Sequence, residues 1–336
     1  RDRSGSGVKF NSALVPPYVR RSKTIAAALP WLHLKGVSSG DMREALTVLV
    51  GEDARGLSPN VVSRLKAQWA GEYAEWMKRD LNSCRYLYGW ADGIHTSVRE
   101  EDGARSCLLV IIGVTAAGTK ELVSIGDGES AASWLELLRD LKARGLEGGP
   151  LLAVGDGALG FWAALDQIFP ETRPQRGWGH KSANVLNELP KSVQGKAKAA
   201  RHEIWMAPTR AQAIVAFDAF LKSYQAKYPK ATDKLVKDRE VLLAFYDFPA
   251  EHWMHLRTTN PVESTFATVR QRTTRTKNCL SRATFLGFAF KLVQEAEKNW
   301  RRIRGIERIA DLLAGIVFKD GVPAPDSPPE RQQMAA

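Results

Sequence analysis

A chain of 336 residues with 48 Lys and Arg against 37 Asp and Glu carries a formal net charge of +11. That length buries a substantial core in more than one unit, and the charge favours an anionic partner such as nucleic acid. Cys84, Cys107 and Cys279 are too few and too scattered for a disulfide scaffold or a cysteine-based zinc site, and they suit a reducing compartment. No apolar run approaches the length of a membrane span and no export signal opens the chain, so no membrane partner is expected.

Residues 1–30 are basic and broken by Pro16-Pro17, and they read as an arm. The start at Arg1 rather than methionine implies that this arm is truncated. Residues 31–80 are expected to be helical, a DNA-binding or linker region, with helices over 39–49 and 59–78 that resemble a helix-turn-helix only loosely. Strand signals follow at 85–91, 96–99, 106–113 and 121–125, with 96–99 readable as the end of the first strand beyond Gly93. A helix over 130–143, a strand over 151–154, a helix over 159–168 and a further strand within 172–178 complete the first part of a catalytic core, residues 81–180. The spacing predicts a long helical insertion over 181–250, including one helix over 230–245. Residues 251–305 hold the last core helix and a C-terminal helix over 281–304. Residues 306–336 are read as a helix end and a frayed tail, Pro-rich beyond Lys319. Strands and helices in this order suit a mixed α/β sheet flanked by helices.

The chemistry centres on three acids. Asp92 follows Tyr86–Ala91 and Asp156 follows Leu151–Val154, so each is expected at a strand terminus. Two such carboxylates make a hard-metal pair suited to Mg²⁺ if their strands are neighbours. Asp-Gly and Gly-Asp-Gly are also ordinary turn chemistry. Glu263 stands early in a helix: with Asn260 as cap and Pro261 first, it falls where it would close a capping box. Local spacing does not decide between cap and ligand. The acid-free stretch 264–282 carries Arg270, Arg272, Arg275, Lys277 and Arg282, a phosphate-neutralising surface or a solvated loop. His252 and His255 lack the partners of a zinc site, and packing, phosphate contact or substrate positioning suits them better.

At these residues the chain resembles the bacterial insertion-sequence transposases of the Mutator-like DDE family. The matching segments are Leu87-Tyr88-Gly89-Trp90-Ala91-Asp92-Gly93-Ile94, Ala153-Val154-Gly155-Asp156-Gly157-Ala158-Leu159-Gly160-Phe161-Trp162, and 246–270, including Leu256-Arg257-Thr258-Thr259-Asn260-Pro261-Val262-Glu263-Ser264. The resemblance covers nearly all of residues 30–305. It implies an RNase H-like core with an all-α insertion, Asp92, Asp156 and Glu263 as catalytic and metal-binding acids, and Mg²⁺ or Mn²⁺ as cofactor. It further implies cleavage of transposon ends and transfer of their 3′ hydroxyls to target DNA. The partners would be double-stranded terminal inverted repeats, target DNA and further copies of the chain, in a cytoplasmic, nucleoid-associated setting. Arg257, Asn260, Arg270, Arg272, Arg275, Lys277 and Arg282 are the expected DNA contacts, and His180 and His255 the expected substrate-positioning residues.

Two departures from the family pattern stand beside these matches. Gly177 occupies the place of a cysteine before Trp-x-His, and the segment Asp127-Gly128-Glu129-Ser130 is two residues short. They motivate the alternative of a catalytically impaired, transposase-derived DNA-binding protein. A metal-dependent nuclease is the other alternative, since the same ions can deliver water to the phosphodiester.

Overall fold

Residues 106–113 are apolar at nearly every position because both faces of their strand are covered. In the computed structural model, Leu108, Val110, Ile112 and Val114 enter one core cluster and Leu109 and Ile111 the other. The structure describes residues 59–99, 105–128, 130–157, 159–275 and 282–325, with Leu32, Val37, Asp41 and Glu44 as isolated positions. The basic arm, most of the expected 39–49 helix, Lys277 and Cys279 lie outside the described residues.

Helix α1 (Pro59–Trp76) leads into β1 (Tyr86–Arg99), β2 (Arg105–Thr115) and β3 (Lys120–Asp127). There follow α2 (Ala131–Ala143), β4 (Leu152–Gly155), α3 (Leu159–Ile168) and β5 (Arg173–Arg176). The sheet order is β3-β2-β1-β4-β5. β1 pairs antiparallel with β2 and parallel with β4, and β4 pairs parallel with β5. This mixed open sheet, covered by helices and interrupted by a helical insertion, is an RNase H-like fold.

α2 and α3 cover one face through Trp134, Leu137, Leu138, Leu141, Phe161 and Leu165, with Trp134 and Phe161 edge to face at 5.0 Å. Ser130 caps α2 by accepting the Ser133 N–H at 3.1 Å. The insertion runs through α4 (Trp178–Leu186), α5 (Lys191–Met206), α6 (Arg210–Tyr224), α7 (Pro229–Val236) and α8 (Arg239–Leu242). Short 3₁₀ turns at Ala244–Asp247 and Ala250–His252 and the single turn α9 (Trp253–Leu256) bring the chain back to the sheet. There α10 (Asn260–Arg275) and α11 (Arg282–Glu297) join α1 on the second face. Gly287 lets α11 lie backbone to backbone on α1, since a Cβ there would meet Ala70 N at 2.6 Å.

Several sequence expectations shift. Asp92 is not at a strand terminus: β1 is one 14-residue strand that runs through Gly93. Continuous pairing with β2, through Asp92↔Val110, Gly93↔Leu109 and Ile94↔Leu108, outweighs the turn tendency of Asp-Gly. The helix expected over 230–245 is broken into α7, α8 and a 3₁₀ turn. The break falls where Asp238 turns inward to pair with Lys181 and Arg176. α11 stops at Glu297, whose carboxylate accepts the Leu122 N–H at 2.8 Å, beside the register shift in β2 and β3.

After α12 (Arg308–Leu313) the chain does not fray at Lys319 but forms a hairpin of β6 (Phe318–Lys319) and β7 (Val322–Pro323). Asp320 and Gly321 take φ of 51° and 82°, the left-handed pair that a tight hairpin turn needs.

Candidate active site

Strand periodicity places Asp92 on the same face as Trp90 and Ile94, where α10 packs. Its parallel neighbour β4 pairs only as far as Ala91↔Gly155, and Asp156 is the first residue beyond β4. The two aspartates are thereby neighbours across the sheet. Asp92 Oδ1 accepts the Gly93 N–H at 2.8 Å. Burial pushes the Asp92 carboxyl up to about 6; the charges of Asp156 and Glu263 add to the rise, while His180 and the Gly93 N–H oppose it.

Asp156 is held by its backbone. Its carbonyl accepts the Trp162 indole N–H and an Arg176 Nη1–H, both at 2.7 Å, and Oδ1 accepts the Gly157 N–H at 2.5 Å. The Arg176 guanidinium lies 5.3 Å from the Trp162 ring and 3.8 Å from Asp238, so a cation-π contact and an ion pair fix the clamp.

Glu263 sits in the first turn of α10, where the helix dipole favours a carboxylate. The capping box expected from Asn260 is not the arrangement observed. The N–H groups of Val262 and Glu263 both point to the Thr259 carbonyl, so the helix begins one residue earlier than read. Thr259, fully buried, donates its hydroxyl to Glu263 Oε1 at 2.5 Å. Threonine, like asparagine, is favoured at a helix start, and here Thr259 is the residue that stands before the first helical one.

His180, near the start of α4, is the point on which the acids converge. Nδ1 lies 3.3 Å from Asp156 Oδ2, and Nε2 lies 3.1 Å from Glu263 Oε1 and 3.9 Å from Asp92 Oδ2. Nε2 is buried and makes no hydrogen bond with these neighbours. Two backbone bonds fix the start of α4: Gly177 N–H to the Gly155 carbonyl at 3.0 Å and Trp178 N–H to the Arg257 carbonyl at 2.8 Å. The buried Trp178 indole adds a bond to the Leu242 carbonyl at 3.0 Å. Gly177 faces Thr259: a Cβ there would lie 3.3 Å from its Cγ2, so a cysteine would press on the residue that holds Glu263.

The donor set, three carboxylates from three elements around one point, is the hard-oxygen chemistry of Mg²⁺ or Mn²⁺. The acids converge on an imidazole rather than on one another. Among the described residues no group of three or more His, Cys, Asp or Glu is spaced to hold an ion.

His255 lies apart from these acids. Its Nε2 accepts the Arg304 N–H at 3.0 Å, its carbonyl accepts the Trp90 indole N–H at 3.1 Å, and burial pushes its pKa down to about 4. Of the expected DNA contacts, Arg257 stacks over Phe245 at 4.7 Å and Trp253 at 5.2 Å, and Arg282 pairs with Asp127. Asn260 and Arg270 are exposed along α10, which also carries the backbone of Arg272 and Arg275. Arg176, Trp162 and Thr259 went unread because they act through backbone atoms and a hydroxyl. No residue pattern marks such contacts.

A family model described as "Transposase, Mutator family" matches residues 1–303. The chain is 60% identical over 304 residues to the transposase for insertion sequence element IST2 of Acidithiobacillus ferrooxidans, covering 88% of this chain and 100% of that one. It is 51% identical over 299 residues to the transposase for IS6120 of Mycolicibacterium smegmatis, covering 88% and 92%. A more distant relative is the transposase for IS1081 of Mycobacterium tuberculosis, 27% identical over 316 residues. A match of this extent, on an RNase H-like sheet with three acids gathered at its centre, means that the chain belongs to the Mutator family of transposases.

Proposed function

We propose that this transposase cleaves phosphodiesters at the ends of its element and joins the freed 3′ hydroxyls to target DNA, with Asp92, Asp156 and Glu263 as its catalytic acids. The observation that carries the reading is the convergence on His180 of three carboxylates from β1, the end of β4 and the start of α10. In this reading the same three side chains hold Mg²⁺ or Mn²⁺. When bound, the ion neutralises the acids, polarises the scissile phosphate and favours the attacking oxygen.

The chain's own part is placement. The clamp of Arg176 and Trp162 fixes the backbone of Asp156, and Thr259 turns the carboxylate of Glu263. His180 positions the acids around the phosphate. In cleavage a water oxygen attacks phosphorus and the bond to the 3′ oxygen breaks. In joining, that 3′ oxygen attacks a target phosphate and displaces the target's own 3′ oxygen. No covalent protein intermediate is needed.

The basic side chains of α10 and the stretch beyond it, from Arg270 to Arg282, supply phosphate affinity without reading bases. Terminal inverted repeats and target DNA are the proposed substrates. Two ends are held by an assembly of several copies, in a nucleoid-associated setting.

The test is cleavage and strand transfer on the element's own ends in Mg²⁺. Asp156→Asn should lower both by at least about 10³-fold, as should chelation with EDTA. Full activity in Asp156→Asn would overturn the assignment of that residue. Products that are only hydrolysed, never joined, would favour a nuclease.

A further inference from the structure

Glu263 also borders a second space. A cleft of about 650 Å³ opens beside it, lined by Lys120, His255, Asn260, Asn299, Trp300 and Arg301 among others. Its walls are tied together by hydrogen bonds from separate parts of the chain. The Ile303 N–H donates to the Gly118 carbonyl at 3.0 Å, the Arg304 N–H to His255 at 3.0 Å, and Lys120 Nζ to the Arg301 carbonyl at 2.6 Å. The cleft is therefore a built feature and not a gap between loose segments.

Its charge is out of balance. Lys120 is partly buried and, among the described residues, has no carboxylate partner; burial lowers its pKa. A partly buried ammonium, bonded to a carbonyl and without a counter-charge, favours an anion beside it. Arg301, Arg302 and Arg304 are exposed on the adjoining segment, and their guanidiniums have no ion-pair partner among the described residues. Trp300, half-buried, puts an aromatic ring in the same wall. A cation for a phosphate beside a ring for a base is the recurring pairing of single-strand DNA sites.

We propose that this cleft seats the DNA strand that leads to the scissile phosphate, Lys120 and Arg301 taking its backbone phosphates and Trp300 stacking on one of its bases. The inference rests on the catalytic reading of Glu263 and names the path by which substrate reaches it. Asn260 and Asn299 supply neutral hydrogen-bonding groups along that path, and Glu263 marks its catalytic end.

The experiment measures binding without catalysis. The full chain is titrated, in EDTA and over a series of KCl concentrations, against a fluorescein-labelled 20-nucleotide single strand and the corresponding duplex. Lys120→Gln and Arg301→Gln should each weaken single-strand binding by about 5–10-fold and reduce the slope of log affinity against log salt by about 0.7. Lys120→Arg should restore both. Trp300→Leu should weaken binding by about 10-fold at every salt concentration with the slope unchanged, and Trp300→Phe should keep most of the affinity.

Wild-type affinity in Lys120→Gln and Arg301→Gln, or an equal loss in Lys227→Gln on the exposed surface of the insertion, would overturn the proposal. Arg301 is exposed, so its variant keeps the test valid if Lys120→Gln does not fold. A normal cleft with no metal-dependent cleavage would count against the catalytic reading alone, and cleavage with an indifferent cleft against the strand path alone.

Discussion

Arg201 shows how much a single side chain can cost. It is 1% exposed in α5, and its Nε and Nη1 have no hydrogen-bond partner among the described residues. Burial alone pushes its pKa down to about 10. Its compensation is a cation-π contact, with the guanidinium 5.5 Å from the Trp205 ring. Such a contact contributes about 2 kcal/mol when desolvated, whereas each unsatisfied buried donor costs about 1–3 kcal/mol. The missing bonds outweigh the contact. Arg201→Met, which fills a similar volume without donors, should therefore raise stability by about 1–3 kcal/mol. Calorimetry checks this: a thermal midpoint at or below the wild-type value would mean that Arg201 has partners in the folded protein.

At the scale of an element, the segment from the second 3₁₀ turn through α9 is built on two neutral histidines. Tyr88 donates its hydroxyl to His252 Nδ1 at 2.7 Å, which leaves Nε2–H to donate to the Gly305 carbonyl at 2.9 Å. His255 Nε2 accepts a backbone N–H, so protonation would remove an acceptor. Both rings have lowered pKa values, His255 to about 4. Burial is the main cause for each, and for His255 the cations Lys120 and Arg304, with His252 once protonated, add to it. A folded pKa below the unfolded value near 6.5 means that the unfolded chain takes up the proton first. The stability these rings contribute is thus complete above about pH 6.5 and lost as pH falls towards 4. The urea midpoint should drop between pH 7 and pH 5, and His255→Gln should flatten that drop. An equally steep fall in the variant would place the acid sensitivity elsewhere. Their i, i+3 spacing was plain in the sequence. Their tautomers were not, because Tyr88, Gly305 and Arg304 come from distant parts of the chain.

Across the whole molecule, what could be read in sequence was what local pattern controls. The apolar run of β2 and the stripe of α2 gave the sheet and its first cover. The order of elements gave a mixed sheet flanked by helices, and the family resemblance implied its RNase H-like form. Three things escaped for a common reason: the place of Asp92 inside β1 rather than at its end, the break at Asp238 and the hairpin beyond Lys319 each depend on a remote partner. The hairpin shows this best. Asp320 Oδ1 accepts the Arg210 N–H at 2.6 Å, Gly321 N–H donates to the Tyr246 carbonyl at 3.1 Å, and Phe318 is 2% exposed in the main core. The end of the described chain thus fastens the insertion to the strand-bearing core. Phe318→Ala should cost about 3–5 kcal/mol, read by chemical unfolding as one cooperative transition shifted as a unit. A loss confined to the last residues, with the midpoint unmoved, would show that the hairpin is not part of that unit.

β1 carries Asp92 well inside its length, paired with β2 on one side and left by β4 after Ala91 on the other. The acid's address is therefore a matter of parity. Removing Ala91, with the β2 pairing beyond it unchanged, would exchange the faces of every side chain on the near half of the strand. Trp90 and Tyr88 would then turn towards α2 and α3, while Asp92 kept its place above a disrupted floor. A single-residue change in this strand keeps Trp90 and Asp92 on their common face only where a bulge absorbs it, as the irregularity between Tyr86 and Tyr88 shows β1 can do.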